Sequence, residues 1–388
     1  MQWFEQILGA VLLLLILLDV FLTVLYARAN AGIISPHVAR LVWWAFRAIS
    51  KPFGRVRDSI FSFCGPAILV MLVFVWALGL TVAAGLIIHP ELGRSVRATS
   101  GDTPGDFSTA IYAGGTSISV VGASDFTPHT AGFRLLFLFN SLVGMSVTFL
   151  TLTYLMQVYT ALNRRNTLGL NVHLASAETG DAAELIAHLG PEGKFEVGYT
   201  NLSTLAAQIT KAKESHHFYP VLFYFRFREP FYSVSRFTLV SLDAATLIKS
   251  ALNDKEYAWL KNSSAVEQLW DGAMLLLETV SDMFLHGAKR GLPHAPDEDT
   301  CELWRDRYFA ALRTLRQAGI RTVDDEQAGA EYYLNLRRQW NDYIMHMAPL
   351  LAYSKEDIDP VGYRAETFNE ERRFQPHASP GLPFQPHS

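Results

Sequence analysis

Charged side chains are scarce in the first 162 residues of this 388-residue chain, and charge collects after Asn163. Cysteine is also scarce: the chain has only Cys64 and Cys301, whose wide separation excludes a disulfide framework and a paired-cysteine metal motif. The net charge of −4, without a long basic run outside the short loops at the membrane, gives no indication of nucleic acid as a partner. The sequence therefore divides into a membrane half followed by a soluble half.

Signatures of cofactor and metal chemistry are missing as well. No Gly-x-Gly-x-x-Gly follows a strand, and no Walker sequence is present. His216 and His217 are adjacent, so on a helix they point about 100° apart and are interpreted as surface residues. Glu278, Asp282 and His286 share a helix face, which is interpreted as a solvated face. We predict no metal site, no cofactor and no enzymatic activity, since no nucleophile, base and orienting group can be assembled from spacing.

Three segments are long and apolar enough to cross a bilayer, which takes about 20 residues. They run from about Ile7 to Ala27, from Ala67 to Ile88 and from Leu135 to Leu162. The first lacks the basic start and short apolar stretch of a signal peptide, so we interpret it as a retained helix. Asp19 interrupts this segment, and a polar contact between helices is favoured over a functional role such as ion binding.

The loops predict the orientation of the chain. Residues 28–58 carry six basic side chains and one acidic one, whereas residues 89–130 carry two basic and four acidic ones. Because basic loops stay in the cytoplasm, the N-terminus is expected outside and the long C-terminal region inside. In the first loop, apolar residues recur at helical spacing from Val38 to Ile49, which favours a helix in the membrane interface over a turn anchored by tryptophan.

The loop at 106–128 is the candidate functional segment. Its first half is able to form a short helix, whereas its second half is small, polar and glycine-containing and ends in Asp-x-x-Pro. Irregular backbone at membrane depth is allowed only where it is buried in protein or lines a water path. In a selectivity filter, backbone carbonyls replace the water around a cation, and the C-terminus of a short helix directs its negative dipole end toward the ion.

Here the chain resembles the pore-loop potassium channels with two core transmembrane helices per chain, over about residues 60–165. The family filter Thr-Val-Gly-Tyr-Gly-Asp, with a proline three residues later, aligns without gaps so that Asp125 and Pro128 match. The filter positions implied by the resemblance are Val120, Val121, Gly122, Ala123, Ser124 and Asp125. The pore-helix and filter-support positions are Thr116, Ser117, Ser119 and Pro128.

The chain departs from the family filter at three positions. Val120 replaces the threonine of the innermost ion site, Ala123 replaces the bracing aromatic residue, and Ser124 replaces a glycine. An alternative register takes Ser119 as the hydroxyl residue and inserts Val121, but it loses the spacing to the aspartate and proline. Selective, weakly selective and absent conduction all stay open at this point.

The third apolar segment is the expected pore-lining helix. By resemblance, Gly144 is the gating hinge. Its polar residues include the pore-lining candidates Asn140, Thr148 and Thr151, although hydrogen bonding between helices uses the same residue types. One loop cannot surround an ion, so several copies must assemble around an axis, and by resemblance the assembly is a homotetramer.

The soluble half is predicted to be mainly helical from its apolar periodicity. The predicted helices are Asp181 to Leu189, Asn201 to Lys213, Ala265 to His286, Glu302 to Ala318 and Asp324 to Tyr353. Gly319 is a stop signal, and Thr322 with Asp325 is a candidate capping pair. The aromatic segment from Phe218 to Phe227 fits a strand or a buried helix, and the polar, proline-rich end from Glu366 is predicted to be disordered.

The sequence thus predicts an all-α membrane protein. Its parts are an N-terminal transmembrane helix (1–30), a cytoplasmic interfacial linker (31–60), a pore domain (61–165), a mainly α-helical cytoplasmic domain (166–365) and a tail (366–388). The expected function is passive conduction of a monovalent cation, K⁺ by resemblance, by a homotetramer in the cell membrane. No ligand of the cytoplasmic domain is indicated. The alternative is a non-conducting membrane sensor or scaffold with a relic filter, and a membrane-bound enzyme is a third hypothesis.

Overall fold

The computed structural model describes residues 2–26, 32–50, 57–120, 122, 125–284 and 296–362. The chain forms two compact units. The first comprises Met1–Arg164 with Glu214–Arg228, and the second comprises Arg165–Lys213 with Glu229–Ser388. The tail predicted from residue 366 lies outside the described residues, as does His286.

Three helices in the described residues are long and apolar enough to cross a membrane. The first span, Trp3–Leu25, consists of α1 (Gln2–Val20) and a π-helical turn (Phe21–Leu25). The second, Cys64–Glu91, contains α4 (Cys64–Ile88), and the third is α6 (Ala131–Ala175). All three predicted membrane helices are confirmed. The first begins four residues earlier than predicted and ends at Leu25, and the other two extend beyond the predicted bounds at both ends.

Asp19 joins three helices of the first unit. Its carboxylate is fully buried and accepts hydrogen bonds from the backbone N–H groups of Ile33 (2.6 Å) and Ile34 (2.7 Å), just before α2 (Ser35–Ser50). It also accepts bonds from the Ser35 hydroxyl (2.6 Å) and from the indole N–H of Trp76 (2.8 Å) on α4. The structural polar contact expected for this acid is therefore present, because a buried carboxylate needs this many donors.

The first unit also holds the segment between the second and third spans. A short helix, α3 (Arg57–Ser62), precedes α4, and the segment between α4 and α6 contains β1 (Val96–Ala98), α5 (Phe107–Ile118) and β2 (Phe126–Pro128). The two strands pair antiparallel, with Arg97 opposite Thr127. Ile88, Val96, Ala113 and Phe126 form a small apolar core beneath this ribbon. The ribbon therefore fixes both ends of the loop that carries α5.

Residues 214–228 belong to the first unit, although the sequence analysis placed them in the domain at 166–365. Within the aromatic segment, Pro220–Tyr224 forms a short 3₁₀ helix whose last four residues are buried, so of the two expected structures a buried helix is present and a strand is not. Tyr224 packs against Trp43 of α2, with ring centroids 5.5 Å apart. His216 is fully buried against Phe223, so its interpretation as a surface residue is wrong.

The second unit is helical throughout its regular structure, as expected for the described residues. Its helices are α7 (Ala182–Leu189), α8 (Glu196–Phe218), α9 (Val234–Ala251), α10 (Asp254–Lys261), α11 (Ser264–Phe284), α12 (Glu298–Gln317), α13 (Glu326–Arg337), α14 (Asn341–Leu350) and α15 (Lys355–Ile358), of which α8 ends in the first unit. Asp181 caps α7 and Asp325 caps α13 through backbone N–H groups. Gly319 ends α12 with a φ of +77°, a conformation that favours glycine.

Two predictions about this unit are wrong in detail. The helix expected from Asp324 to Tyr353 is two helices, because Trp340 leaves helical geometry (φ −131°) and buries its ring in the core. Thr322 is not part of a cap: its hydroxyl accepts a hydrogen bond from the Arg316 guanidinium at 2.9 Å.

A buried ionic cluster lies at the centre of the second unit. Asp243, on the almost fully buried helix α9, accepts bonds from Arg307 (2.7 Å), Arg337 (2.9 Å) and the Tyr333 hydroxyl (2.7 Å). Asp359, just after α15, accepts bonds from the same two arginines at 2.6 Å and 3.2 Å. Two carboxylates and two guanidinium groups therefore balance in charge inside the protein, and they fasten the end of the described chain to α12 and α13.

Candidate functional site: the pore loop

Helix α5 begins at a strong cap. The carboxylate of Asp106 accepts a hydrogen bond from the backbone N–H of Thr109 at 3.0 Å and others from the hydroxyls of Ser108 and Thr109. These bonds, the Ser108 bond first, hold the pKa of Asp106 well below its ordinary value, so the cap stays ionised. The N-terminus of α5 is therefore capped by a carboxylate that remains negatively charged, which interacts favourably with the helix dipole.

Small residues bring α5 very close to the second membrane helix. A Cβ atom on Gly114 would lie 2.5 Å from the backbone nitrogen of Gly85 in α4, and one on Gly85 would lie 2.9 Å from Ile111. Such backbone-to-backbone approach is characteristic of small residues at helix contacts within membranes. The glycines of the sequence Ala-Gly-Gly therefore serve to seat α5 against α4.

The C-terminus of α5 rests on the third membrane helix at Gly144. A Cβ atom on Gly144 would overlap the backbone carbonyl oxygen of Ile118, the last residue of α5. Glycine is required at position 144 because α5 and α6 approach each other closely there. The structure therefore gives Gly144 a role in helix packing. The prediction that Gly144 is a gating hinge stays a prediction.

Asn140 lies one turn before Gly144 on α6 and is fully buried. Its side-chain amide donates to the Ser117 hydroxyl at 2.9 Å, and Ser117 donates in turn to the Gly114 carbonyl at 2.7 Å. The structure thus corrects the assignment of Asn140 as a pore-lining residue: it connects α6 to the back of α5. The filter-supporting role of Ser117 stays a prediction.

The other candidates for the pore lining and the support divide between exposed and buried positions. Thr148 is exposed within the single chain and donates its hydroxyl proton to the Gly144 carbonyl at 2.8 Å. Thr151 is only 8% exposed, so it faces protein and is also corrected as a lining residue. The Thr116 hydroxyl donates to the Tyr112 carbonyl at 2.9 Å within α5.

The predicted filter follows α5 as irregular backbone. Ser119 is extended (φ −60°, ψ 134°), Val120 is 62% exposed, and Gly122 has a φ of +66°. The φ of Gly122 lies in the left-handed region that favours glycine, and its backbone N–H donates to the Ser119 carbonyl at 3.2 Å. Val121, Ala123 and Ser124 lie outside the described residues.

Asp125 and Pro128 close the loop. The Asp125 carbonyl accepts bonds from the backbone N–H (2.6 Å) and hydroxyl (2.7 Å) of Thr99, and Pro128 pairs with Val96 in the ribbon. The exposed Asp125 carboxylate accepts a bond from the Tyr112 hydroxyl at 3.4 Å. The predicted filter segment is thereby joined at its C-terminal end both to β1 and to α5.

Sequence reasoning missed Tyr112 and Thr99. Tyr112 also packs edge-to-face on Phe126, with ring centroids 6.1 Å apart, so it holds β2 as well as Asp125. An aromatic residue inside a short apolar helix carries no signal that separates such a contact from ordinary burial. Thr99 could not be identified from the sequence either. It directly follows a three-residue strand, which is too short for an alternation of apolar and polar residues to be recognised.

A double-mutant cycle tests the link between α6 and α5. Asn140→Ala and Ser117→Ala each remove one partner, and we expect their effects on the free energy of unfolding to couple by about 1 kcal/mol, as for a buried neutral hydrogen bond. The matched pair is Ser117→Ala with Thr148→Ala, whose hydroxyl bonds its own helix, and these two should be additive. Thermal unfolding of the native protein, the three single variants and the two double variants in detergent measures both cycles, and additivity in the first would refute the link.

Comparisons with known proteins agree with this geometry. Residues 66–161 match the family described as ion channel. Over 321 residues, 82% of this chain and 89% of the relative, the sequence is 22% identical to the uncharacterized membrane protein YdjJ of Bacillus subtilis (strain 168). No solved structure matches. Residues 66–161 are therefore an ion-channel domain of the type with two membrane helices and a pore loop, carried by a mostly helical membrane protein with an additional N-terminal span.

Proposed function

We propose that this protein is a cation channel in which four copies assemble their pore loops around one axis and pass K⁺ or similar monovalent cations passively. The observation that carries the proposal is the seating of α5. Its C-terminal carbonyl at Ile118 lies on Gly144 of a membrane helix, and irregular backbone with a left-handed Gly122 follows directly. In the assembled channel, backbone carbonyl groups of this segment would replace the water around the cation.

The surface of α6 supports assembly. In the single chain, one face carries exposed apolar side chains that include Leu138, Leu142 and Phe149, and hydroxyl residues such as Ser141 and Thr148 are exposed as well. An inner helix needs a face for neighbouring copies and a face for water, and this mixture supplies both. We further propose that the N-terminus lies outside and the second unit in the cytoplasm, because the basic residues of the sequence favour that orientation.

Ion flux in liposomes tests the proposal. Purified full-length protein is reconstituted into vesicles loaded with KCl, and uptake of radioactive Rb⁺ against diluted external salt is measured. Uptake that external K⁺ competes away better than Na⁺ supports a potassium-type filter, and equal competition supports a weakly selective one. Cross-linking or mass measurement of the same sample should give four chains, and a monomer would overturn the assembly.

A second candidate function, a non-conducting sensor or scaffold, is favoured by one observation: Val120 stands where the family has a hydroxyl residue. The double variant Val120→Thr with Ser124→Gly separates the two. Flux in the native chain supports conduction, whereas flux only in the double variant supports the sensor with a relic filter. Absence of flux in both, from folded tetramers, overturns the channel proposal.

A further inference from the structure

The start of α2 is hydrogen-bonded to the first membrane span at a point inside that span, before its C-terminal end. The N–H groups at its start bond to Asp19, which lies six residues, or roughly 9 Å at 1.5 Å per residue, before the end of the span at Leu25. A membrane helix that spans the bilayer thus holds the start of α2 within the membrane rather than in open water. The exposed face of α2 therefore lies near the boundary between lipid headgroups and acyl chains.

The two faces of α2 differ sharply. Ala39, Val42 and Trp43 are buried, and Trp43 packs on Phe61 with ring centroids 5.2 Å apart. On the other side, Trp44 is 68% exposed and Leu41 is 65% exposed. An amphipathic helix of this kind inserts its exposed apolar face at the membrane interface, where tryptophan is favoured.

Two exposed arginines border this apolar face. Arg40 and Arg47 are seven residues apart, so they lie within about 20° of each other around the helix and about 10 Å apart along it. Trp44 lies between them in sequence and about 40° to 60° away around the helix. The arrangement is an apolar strip with two guanidinium groups along one edge.

Neither arginine forms an ion pair with a carboxylate of the described residues. The sequence offers little near them, since it has no aspartate or glutamate between residues 20 and 57. A guanidinium group held at membrane depth needs an anion, and it binds the oxygens of a phosphate as a planar fork. The anion available at that depth is the headgroup of a phospholipid.

We propose that α2 is a binding surface for anionic phospholipid, in which Arg40 and Arg47 each hold a headgroup phosphate and Leu41 and Trp44 contact the adjoining acyl chains. The surface depends on membrane insertion of the chain and is independent of ion conduction. Each basic residue near an anionic lipid surface contributes about a fivefold gain in affinity, so the pair contributes roughly thirtyfold.

The experiment measures lipid binding by the full-length protein in detergent. Phosphatidylglycerol or phosphatidylcholine is titrated in, and bound lipid per chain is counted by native mass spectrometry for the native protein and for Arg40→Gln with Arg47→Gln. The matched control is Arg94→Gln with Arg97→Gln, which makes the same charge change at exposed arginines of the loop at 89–130. Thermal unfolding confirms that all three proteins are folded, and a variant with lysine at 40 and 47 serves if the glutamine variant does not fold.

We expect the native and control proteins to prefer phosphatidylglycerol, and the Arg40, Arg47 variant to lose affinity for it by roughly thirtyfold with little change for phosphatidylcholine. Lysine variants should retain part of that preference. Equal loss in the control pair, or no loss in the α2 variant, overturns the proposal. Competition by inorganic phosphate at equal concentration would also overturn it, because the site would then take free anions. Lipid counting needs no current, so failure here leaves the flux experiment unaffected.

Discussion

Replacing Gly144 with alanine is expected to destabilise the ion-channel domain by about 3 kcal/mol or more and to abolish any flux that the native chain shows. The added methyl group would overlap the backbone oxygen of Ile118, and a backbone atom cannot move aside as the end of a flexible side chain can. Relief requires α6 to separate from α5, which removes the support beneath the filter. Thermal unfolding in detergent, together with Rb⁺ uptake, measures both effects.

Gly132 provides the matched control on the same helix. A Cβ atom at Gly132 meets no other atom within 4 Å, so Gly132→Ala should leave stability unchanged or raise it slightly through the lower entropy of the unfolded chain. The comparison also separates two explanations of Gly144. A hinge needs only flexibility, so alanine would alter gating in a protein of native stability, and that result would contradict the packing role assigned here.

Asp243→Ala is expected to have the second large effect, a loss of about 3–5 kcal/mol in the free energy of unfolding of the second unit. The substitution leaves Arg307 and Arg337 buried with only Asp359 to compensate them, and it also removes the acceptor of the Tyr333 hydroxyl. The penalty arises from uncompensated charge in the interior more than from the lost bonds themselves. Denaturant unfolding of the full-length protein, followed by tryptophan fluorescence, provides the measurement.

The control is Glu192→Ala, which breaks an ion pair with Lys194, because the side chains of Glu192 and Lys194 are 81% and 71% exposed. Such a pair contributes about 0–1 kcal/mol, so this variant should resemble the native protein. If both variants lose the same free energy of unfolding, the buried cluster contributes no more to stability than an exposed ion pair. If Asp243→Ala is neutral, the second unit does not depend on the cluster at all.

The same cluster predicts a dependence on pH. Burial raises the pKa of Asp359, but the guanidinium groups of Arg307 and Arg337 outweigh burial and lower the pKa from 3.8 to about 2. A carboxylate with a lowered folded-state pKa stabilises the protein above its ordinary value, and that stability disappears as the pH falls through the folded value. We expect roughly 2 kcal/mol to be lost between about pH 4 and pH 2, and Asp359→Asn should show no such loss in that window.

The membrane helices and the pore loop were predictable because each depends on a local signal. A run of apolar residues has one stable solution in a bilayer, and the small residues between two such runs left few alternatives to re-entrant backbone. The cap at Asp325 and the stop at Gly319 likewise depend only on their immediate neighbours. These are the features for which sequence and structure agree most closely.

The features that could not be predicted from the sequence depend on contacts between residues that are far apart in the chain. Helix α9 was missed because it is buried on nearly every side, so its sequence has no alternation of apolar and polar faces to recognise. Asn140 was placed at the pore because an amide on a membrane helix suits water and a neighbouring helix equally well, and only the position of Ser117 decides between them. The role of Asp243 could not be predicted either, because its partners Arg307 and Arg337 lie far from it in the sequence.

The return of residues 214–228 to the first unit has a consequence for dividing the protein. The ring of Phe225 fills the space beside Gly65 at the start of α4, where even a Cβ atom would lie 2.5 Å from it, and Tyr224 covers Trp43. A truncation after Arg164 would strip these aromatic rings from α2 and α4, and a fragment that begins at Arg165 would carry them without their partners. The two units are therefore not consecutive segments of the chain. Each half obtained by one cut is expected to be less soluble and less stable than the intact chain.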